Sequence, residues 1–588
     1  MDVRAMALAA GTASTTLFVV SYLPMLIRAI RTRDLRSYSR SSLVIANVGN
    51  VVQAGYIISL PVGPLWFLHG FYLVSSALML ALHLRHAPSP TATESVSSAS
   101  LRSESETAPP SHPRSEMTST TTTRRAPSHV HLARLRASVR GAVLSPDHAA
   151  FPDAIRSWNL NAVHHPAVVV LPIDTDDMVA AVRWATRAGI GVAVQATGHG
   201  TGRPCDGGLL LNTRRLQRVG IDPDRSQVRV EAGVVWREVV EAAAPYGLAG
   251  LPGSSATVGV VGSTLGGGFG WLGRRFGLAA HSVISAEVVT AEGSVLRVSR
   301  DRHGDLHWAV PGGLSGLGVV TGLELALHPV PTVYAGNLFY PHERLTDLLT
   351  FFAAWSRAVP DALTAAVTVR RFPPAPTVPE PLRGRVLVAL RGCWSGDRRA
   401  GAALVDQART DLGPATVDTF TTMPAARLAD ISSDPVDPLP SRNHHELLTD
   451  LTSAAIDDLV GLAGAGTDWP LVMTEVRQLG GALVGRDDAL SPMAHTRARF
   501  SLNAIGMTAS LEQSAAVRSR LRALAERMAP HATGDTYLNF LDLNGATPER
   551  VRAAYSPADR LRLTTLKHDH DPADVFRFGR RLTQENPS

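Results

Sequence analysis

Thr197-Gly-His-Gly-Thr-Gly202 and, further along, Gly259-Val-Val-Gly-Ser-Thr-Leu-Gly-Gly-Gly-Phe-Gly270 are the two stretches on which the reading of this chain turns. The first closes a strand, helix, strand unit. AVVVLP at 167–172 has the continuous apolar pattern of a buried strand, and TDDMVAAVRWATRAG at 175–189 is an amphipathic helix with Val179, Val182 and Thr186 on one face. GVAVQA at 191–196 is a second strand. In the turn that follows, small residues expose backbone N–H groups and leave room for a phosphate to approach. The second run follows the strand-like VRVEAGVVW at 228–236 and a short helix, and repeats the device on a larger scale. Consecutive glycines there imply backbone packed against a ligand, although either run alone reads equally well as a structural turn. Neither is a nicotinamide fingerprint, because no G-x-G-x-x-G opens a helix with an acidic residue downstream.

Around these runs stand His165-Pro166-Ala167, Asp206-Gly207-Gly208, Glu231-Ala232-Gly233, Thr257-Val258-Gly259, Arg275-Phe276-Gly277-Leu278, Glu287-Val288-Val289-Thr290 and Leu306-His307-Trp308-Ala309. In this order and spacing they resemble the flavin domain of the FAD-linked oxidase superfamily, the fold of vanillyl-alcohol oxidase and p-cresol methylhydroxylase (PCMH-type). Within it they resemble the berberine bridge enzyme-like branch. The resemblance implies a two-lobed α+β architecture: a PCMH-type FAD-binding domain over 131–330, an α+β substrate domain over 331–530, and a C-terminal segment, 531–588, returning to the FAD domain.

The same resemblance implies FAD as cofactor, bonded through its 8α-methyl carbon to His199. It places the cofactor against Thr197, Gly198, Gly200, Thr201, Val258, Gly259, Gly262, Ser263, Thr264, Gly266, Gly267, Gly268, Gly318 and Val319. Some members carry a second linking Cys shortly before the Thr-Val-Gly step. Here Ser254-Ser255-Ala256 occupies that stretch, so a single covalent bond is expected, and Cys205 does not match the second-link position. The chain departs from the family at Val310-Pro311-Gly312-Gly313-Leu314-Ser315-Gly316, where hydrophobic-Arg-Gly-Gly-Gly is common, at Gln195, where Arg is frequent, and at His281, where Asp is frequent. These departures bear on local cofactor contacts and redox tuning.

Between 331 and 530, strand-like runs (AAVTVRR, VLVALRG) alternate with helical stretches such as QSAAVRSRLRALAERM, which suits an α+β substrate domain. Near the end, Tyr537-Leu538-Asn539-Phe540, Arg562-Leu563 and Asp571-Pro572 with Asp574 resemble the berberine bridge enzyme C-terminal motif, with Asp574 replacing the usual Asn. That likeness places Tyr537 and Asn539 at the flavin ring and makes Tyr537 the catalytic base. An alcohol cannot lose hydride without also losing its O–H proton, and a phenol of pKa near 10 can be lowered by a neighbour. The alternative is a tyrosine that only packs and hydrogen-bonds.

A chain of 588 residues exceeds what one core holds, so at least two folded units are expected. The formal charge of +6 is concentrated at the N-terminus: residues 1–86 carry seven Arg against two Asp, leaving about +1 elsewhere, which argues against a nucleic-acid partner. Two cysteines, Cys205 and Cys393, are too few for a disulfide framework and lack the spacing of a metal site, so no metal is expected. Stretches 6–27, 42–60 and 64–84 are apolar and free of Asp, Glu, Lys and Arg, and each is long enough to cross a membrane as a helix. The first connection carries Arg28, Arg31, Arg33, Arg36 and Arg40. By the positive-inside rule it lies in the cytoplasm, which makes this a multi-pass cell-membrane protein with its flavin domain on the cytoplasmic side.

The three spans, with Asn47, Asn50 and Gln53 at three-residue spacing, resemble a half-unit of the PQ-loop or SWEET-like transporters, although Met25 follows Pro24 where that family has Gln. A homodimer through this segment follows from that likeness. The Ser, Thr, Pro and Glu-rich stretch 87–130 is expected to be a disordered tether. The chain then reads as a membrane-tethered oxidoreductase acting on an alcohol, hemiacetal or amine carbon of a small molecule, with dioxygen or a membrane quinone as electron acceptor and lipid as its other partner. The competing reading is a small-solute transporter half-unit fused to a silent or sensory flavin domain.

Overall fold

The computed structural model describes residues 129–582 apart from 313–315, 485–491, 494–496, 544 and 581, together with residues 66, 70, 73–75, 77 and 78. Those last positions, inside the third expected span, are helical. The other parts of the three spans, with the transporter-like and dimer readings that depend on them, lie outside the described residues. No helix among the described residues is long and apolar enough to cross a membrane. A helix, His129–Ser138, takes the last two residues of the expected linker, and the rest of that linker is also outside.

The first lobe holds two sheets. β1 (Ala142–Leu144), β2 (Val168–Leu171), β3 (Val192–Gln195) and β4 (Leu209–Asn212) lie in the order β1-β2-β4-β3, with β2, β4 and β3 parallel. The runs VVVL and LLLN are buried throughout, as strands covered on both faces require. α1 (Thr175–Ala188) crosses from β2 to β3. Asp174 caps it by accepting from the Asp177 N–H at 3.0 Å, and Gly189, at φ +66°, ends it. Its buried face is Met178, Ala181, Val182 and Ala185. Val179 packs only partly against the core and the Thr186 hydroxyl donates to the Ala291 carbonyl at 2.8 Å, so the expected face is one flank of the true one.

β5 (Val219–Asp222), β6 (Gln227–Glu231), β8 (Val283–Val289), β9 (Val295–Ser299) and β10 (Val319–Ala326) form the second sheet, antiparallel in the order β5-β6-β10-β8-β9; β7 (Leu248–Ala249) and β11 (His328–Pro329) pair as a small ribbon. α2 (Trp236–Ala243) and α3 (Val260–Leu265) connect β6 to β8 and share the core with both sheets.

The second lobe is one large antiparallel sheet of β12 (Thr332–Pro341), β13 (Leu363–Arg371), β14 (Val386–Trp394), β15 (Val417–Asp418), β16 (Thr421–Pro424), β17 (Ser441–Leu448), β18 (Met473–Gln478) and β19 (Phe500–Met507). Strand alternation gives it two different faces. Leu338, Val367, Leu390, Val476 and Leu502 point to a core shared with α4 (Leu345–Trp355), α5 (Arg398–Leu412), α6 (Ser453–Ala463) and α7 (Leu511–Met528). On the other face, Ala335, Ala366 and Cys393 join the first lobe's core, and Met423, Ala425, Leu428 and Ile431 reach it from the same half of the chain.

After α7 the chain returns to the first lobe. Leu538, Leu541, Val551, Leu563, Leu566, Val575 and Phe576 enter its core, with Leu563 and Leu566 carried by α8 (Pro557–His570). The Val192 N–H donates to the Val575 carbonyl at 2.7 Å. The buried Asp571 carboxylate accepts from the N–H groups of Val575 (2.8 Å) and Phe576 (2.9 Å) and pairs with Lys567. Lys567 in turn holds the Gly316 carbonyl at 2.8 Å.

Candidate active site

The turn after β3 carries His199. Gly198 adopts φ +77°, and a Cβ there would meet Ser157. That approach is built by a buried network: the Gln195 side-chain oxygen accepts from Ser157 Oγ at 2.8 Å and lies 2.9 Å from His164 Nε2, while its amide donates to the Arg156 carbonyl at 3.2 Å. Burial holds His164 below its ordinary pKa, so a neutral amide at 195 suits a neutral imidazole. Among the described residues, none of the N–H groups of Gly198, His199, Gly200 and Thr201 is donated to another backbone group, which leaves them available to a ligand.

The His199 ring is fixed on three sides. Nδ1 lies 2.9 Å from Thr197 Oγ1 and Nε2 lies 3.3 Å from Thr257 Oγ1. Trp158 stacks on it, with centroids 4.3 Å apart and planes 15° apart. Burial lowers its pKa to about 4, so the imidazole is neutral near pH 7 and keeps a lone pair for bonding. Cys205 is a core residue whose thiol burial pushes up to about 12, leaving it unreactive.

Thr257 brings the second glycine run to the same place. A Cβ on Gly259 would touch Ala196 and Thr197 at 3.4 and 3.8 Å, so the two runs lie side by side. Gly262 faces open space. The Ser263 hydroxyl is occupied: it donates within its own turn to Gly259 and accepts from Trp236 Nε1 at 2.9 Å. Thr264 Oγ1 is buried and has no partner. Side chains at Gly266 and Gly267 would run into Asn539 and Tyr537, and one at Gly268 into Ala279; Gly267 and Gly268 also sit at φ +119° and +76°. Val258 accepts from the Trp236 N–H through its carbonyl and packs on the core. Thr201 is half-exposed on the His199 turn. Gly318 and Val319 begin β10, where a Cβ on Gly318 would meet Val288 at 2.5 Å, so strand packing alone accounts for that glycine.

Asn539 donates to the Ser263 carbonyl at 2.9 Å, leaving its side-chain oxygen buried and unpartnered. Tyr537 packs edge-on against Phe269 (6.1 Å) and beside Phe540 and His445 (5.4 and 6.3 Å), and its hydroxyl is buried without a partner. The expectation that a neighbour lowers this phenol is corrected here: burial raises it well above the ordinary tyrosine range, and no charge offsets it.

The start of the second glycine run thus lies beside His199, and its end lies against Tyr537 and Asn539, whereas nothing but strand packing is seen at Gly318. Sequence reasoning missed Trp158, Thr257 as a ring partner, and a charged group on the second-lobe sheet: Arg391, Glu475 and Arg477. No pattern flagged the stacked Trp, but Thr257 lay inside a quoted motif. Tyr555 donates to the Gly312 carbonyl, and His281 Nδ1 accepts from the Leu278 N–H at 3.3 Å. Those two departures therefore have structural partners.

Unpartnered buried polar atoms beside glycines too crowded for any Cβ, open donors on the first turn and a neutral, held imidazole fit a flavin nucleotide. Residues 166–299 match the family model described as FAD binding domain. An FAD-linked oxidoreductase of Dictyostelium discoideum is 33% identical over 217 residues, 36% of this chain and 48% of that protein. (R)-6-hydroxynicotine oxidase of Paenarthrobacter nicotinovorans is 33% identical over 196 residues, 33% of this chain and 43% of that protein. The chain therefore spans about half the length of these curated relatives. The structure of berberine bridge enzyme from Eschscholzia californica superimposes with a TM-score of 0.65 at 21% identity, covering 76% of this chain and 97% of that one. Fold and site together define a PCMH-type FAD-binding protein. Residues 166–299 form an FAD-binding domain similar to those of FAD-linked oxidoreductases and oxidases.

Proposed function

We propose that the chain is an FAD-dependent oxidoreductase that oxidises an alcohol, hemiacetal or amine carbon, with the flavin bonded to His199. The observation carrying this reading is the His199 ring, held neutral between Thr197, Thr257 and Trp158 next to the glycine runs. When bound, FAD supplies the two-electron acceptor for the substrate C–H bond and passes the electrons to dioxygen or another acceptor. The protein's part is placement and proton handling. The glycine runs admit the cofactor backbone, Asn539 and Thr264 offer buried hydrogen-bonding atoms, and Tyr537 Oη faces the substrate's O–H or N–H proton.

The test is absorbance and in-gel fluorescence of acid-precipitated protein beside His199→Ala. Yellow colour that survives denaturation in the wild type and is lost from the variant is the expected result. Colour that is extracted equally from both removes the covalent bond and leaves a dissociable cofactor.

The same proposal places the enzyme at the cytoplasmic face of the cell membrane, with a quinone as an alternative acceptor to dioxygen. It is supported by the charge-free stretches 6–27, 42–60 and 64–84 and the arginine-rich loop after the first. The full chain should stay with membranes through an alkaline carbonate wash. Release into the supernatant would end the tether reading.

A further inference from the structure

The face of the second-lobe sheet that meets the first lobe carries charge no other part of the fold explains. Cross-strand register sets Glu475 beside Asn503, which faces His445, and sets Arg477 beside Ser501 and Ala366, which faces Arg391. Arg477 is 3% exposed. Its Nε donates to Glu475 at 2.9 Å and its Nη2 to Ser254 Oγ at 3.2 Å, while its plane lies 4.1 Å from the Trp271 ring centre and 5.2 Å from that of Phe269. Nη1 is buried and has no partner. Neighbouring unpartnered atoms are His445 Nδ1, Asn503 Oδ1 and Tyr537 Oη. His445 is itself held by Ser501 at 3.0 Å and lies beside Tyr537.

The charges do not balance. Among the described residues, Arg370, Arg391 and Arg477 interact with two acids, Glu475 and Asp434. Each of the three Arg391 nitrogens has a partner, Asn337 (3.0 Å), Glu475 (2.8 Å) and the Ile431 carbonyl (2.8 Å). Among the described residues the group carries one more positive than negative charge, and Arg477, paired with Glu475 through Nε and Nη2, is the guanidinium that keeps an unpartnered nitrogen, on Tyr537's side through Phe269. A buried cation with an unmade hydrogen bond is costly, and an anionic oxygen placed on it would satisfy both deficits.

We propose that Arg477 recognises a carboxylate of the substrate, so that this enzyme acts on an acid carrying an oxidisable alcohol or amine carbon. The proposal rests on the flavoenzyme reading above. Guanidinium forks match carboxylates in shape and charge, and His445, Asn503 and Tyr537 supply further hydrogen bonds to an oxygen-rich ligand at the same place.

The experiment titrates purified holoprotein with benzoate and with its neutral analogue benzamide, following the flavin absorbance and, independently, the heat of binding. Wild type should bind benzoate about tenfold more tightly than benzamide, the scale of one charge-assisted hydrogen bond. Arg477→Gln should keep its flavin colour and lose that preference, and Arg477→Lys should recover part of it. Equal binding of the two probes by wild type would overturn the assignment without any variant. An unchanged preference in Arg477→Gln, accompanied by a shifted flavin reduction potential, would give the guanidinium to the cofactor instead. A wild type that carries no flavin would sink the oxidoreductase reading itself, and the substrate class with it.

Discussion

At the scale of single residues, the structure turns substitutions that look like departures into choices with a reason. Asp574, where the resemblance leads one to expect Asn, sits at φ +48° and reaches Lys567 at 3.1 Å; Asp and Asn are the side-chain-bearing residues that best tolerate that backbone region. Gln195, where the resemblance leads one to expect Arg, belongs to a network whose histidine is held neutral. Tyr537 is the residue whose chemistry is most exposed to test. Its buried, raised phenol means that a proton-accepting form grows about tenfold for each pH unit, with no levelling below the ordinary tyrosine value of ~10. If Tyr537 is the base, the rate of substrate oxidation should climb across that whole range, and Tyr537→Phe should lower kcat by roughly 10²–10⁴-fold while retaining flavin. A rate that levels off near neutral pH, in both wild type and Tyr537→Phe, would reduce the tyrosine to a packing residue.

At the scale of elements, legibility followed periodicity. β2, α1 and β3 were readable because each has an unbroken local signal: VVVL, a capped helix ending in Gly189, and VAVQ. The glycine turns were readable because only glycine fits φ +119° at 267 beside a tyrosine ring. In the second lobe the strands AAVTVRR and VLVALRG were readable too, as β13 and β14, but what covers their polar face was not. Alternation such as that of β13, with Val367 and Val369 on one face and Thr368 and Arg370 on the other, is what an amphipathic strand with a solvated face looks like. Here the polar face is buried under the first lobe, and Thr368, Arg391, Glu475 and Arg477 are all 5% exposed or less. Nothing local in a strand says whether its polar side meets water or another lobe. That long-range fact carries the charged group at the site, so the strands of the second lobe could be read from sequence and its charged face could not.

At the scale of the whole molecule, joining two lobes over a polar face buries histidines that cannot be charged in the folded state. His445, on β17 against the first lobe, is held down to about 3 by burial; Ser501, Tyr537 and Phe540 contact its ring, Asn503 lies opposite in register, and His444, Glu446 and Arg550 act on it electrostatically. An unfolded chain takes up that proton near pH 6.5. Between the two values the unfolded state binds more protons, so stability is complete above about pH 6.5 and declines as pH falls toward 3. Glu446, held at about 2 chiefly by His444 and Arg550 against the opposing effect of burial, adds stability that is present above 4.5 and lost as pH falls through 2, a loss of the same sign over a more acidic window. Melting followed by circular dichroism should therefore show Tm lower at pH 5 than at pH 7.5 by about 2 °C from this histidine, before any carboxylate of ordinary pKa is half protonated. His445→Asn, which removes the titrating ring and keeps a hydrogen-bonding group near Ser501, should flatten that slope. A variant as acid-sensitive as wild type would move the cause away from the junction of the lobes, and a wild type with no slope between these pH values would mean that His445 is hydrated in solution and that the lobes do not close over it.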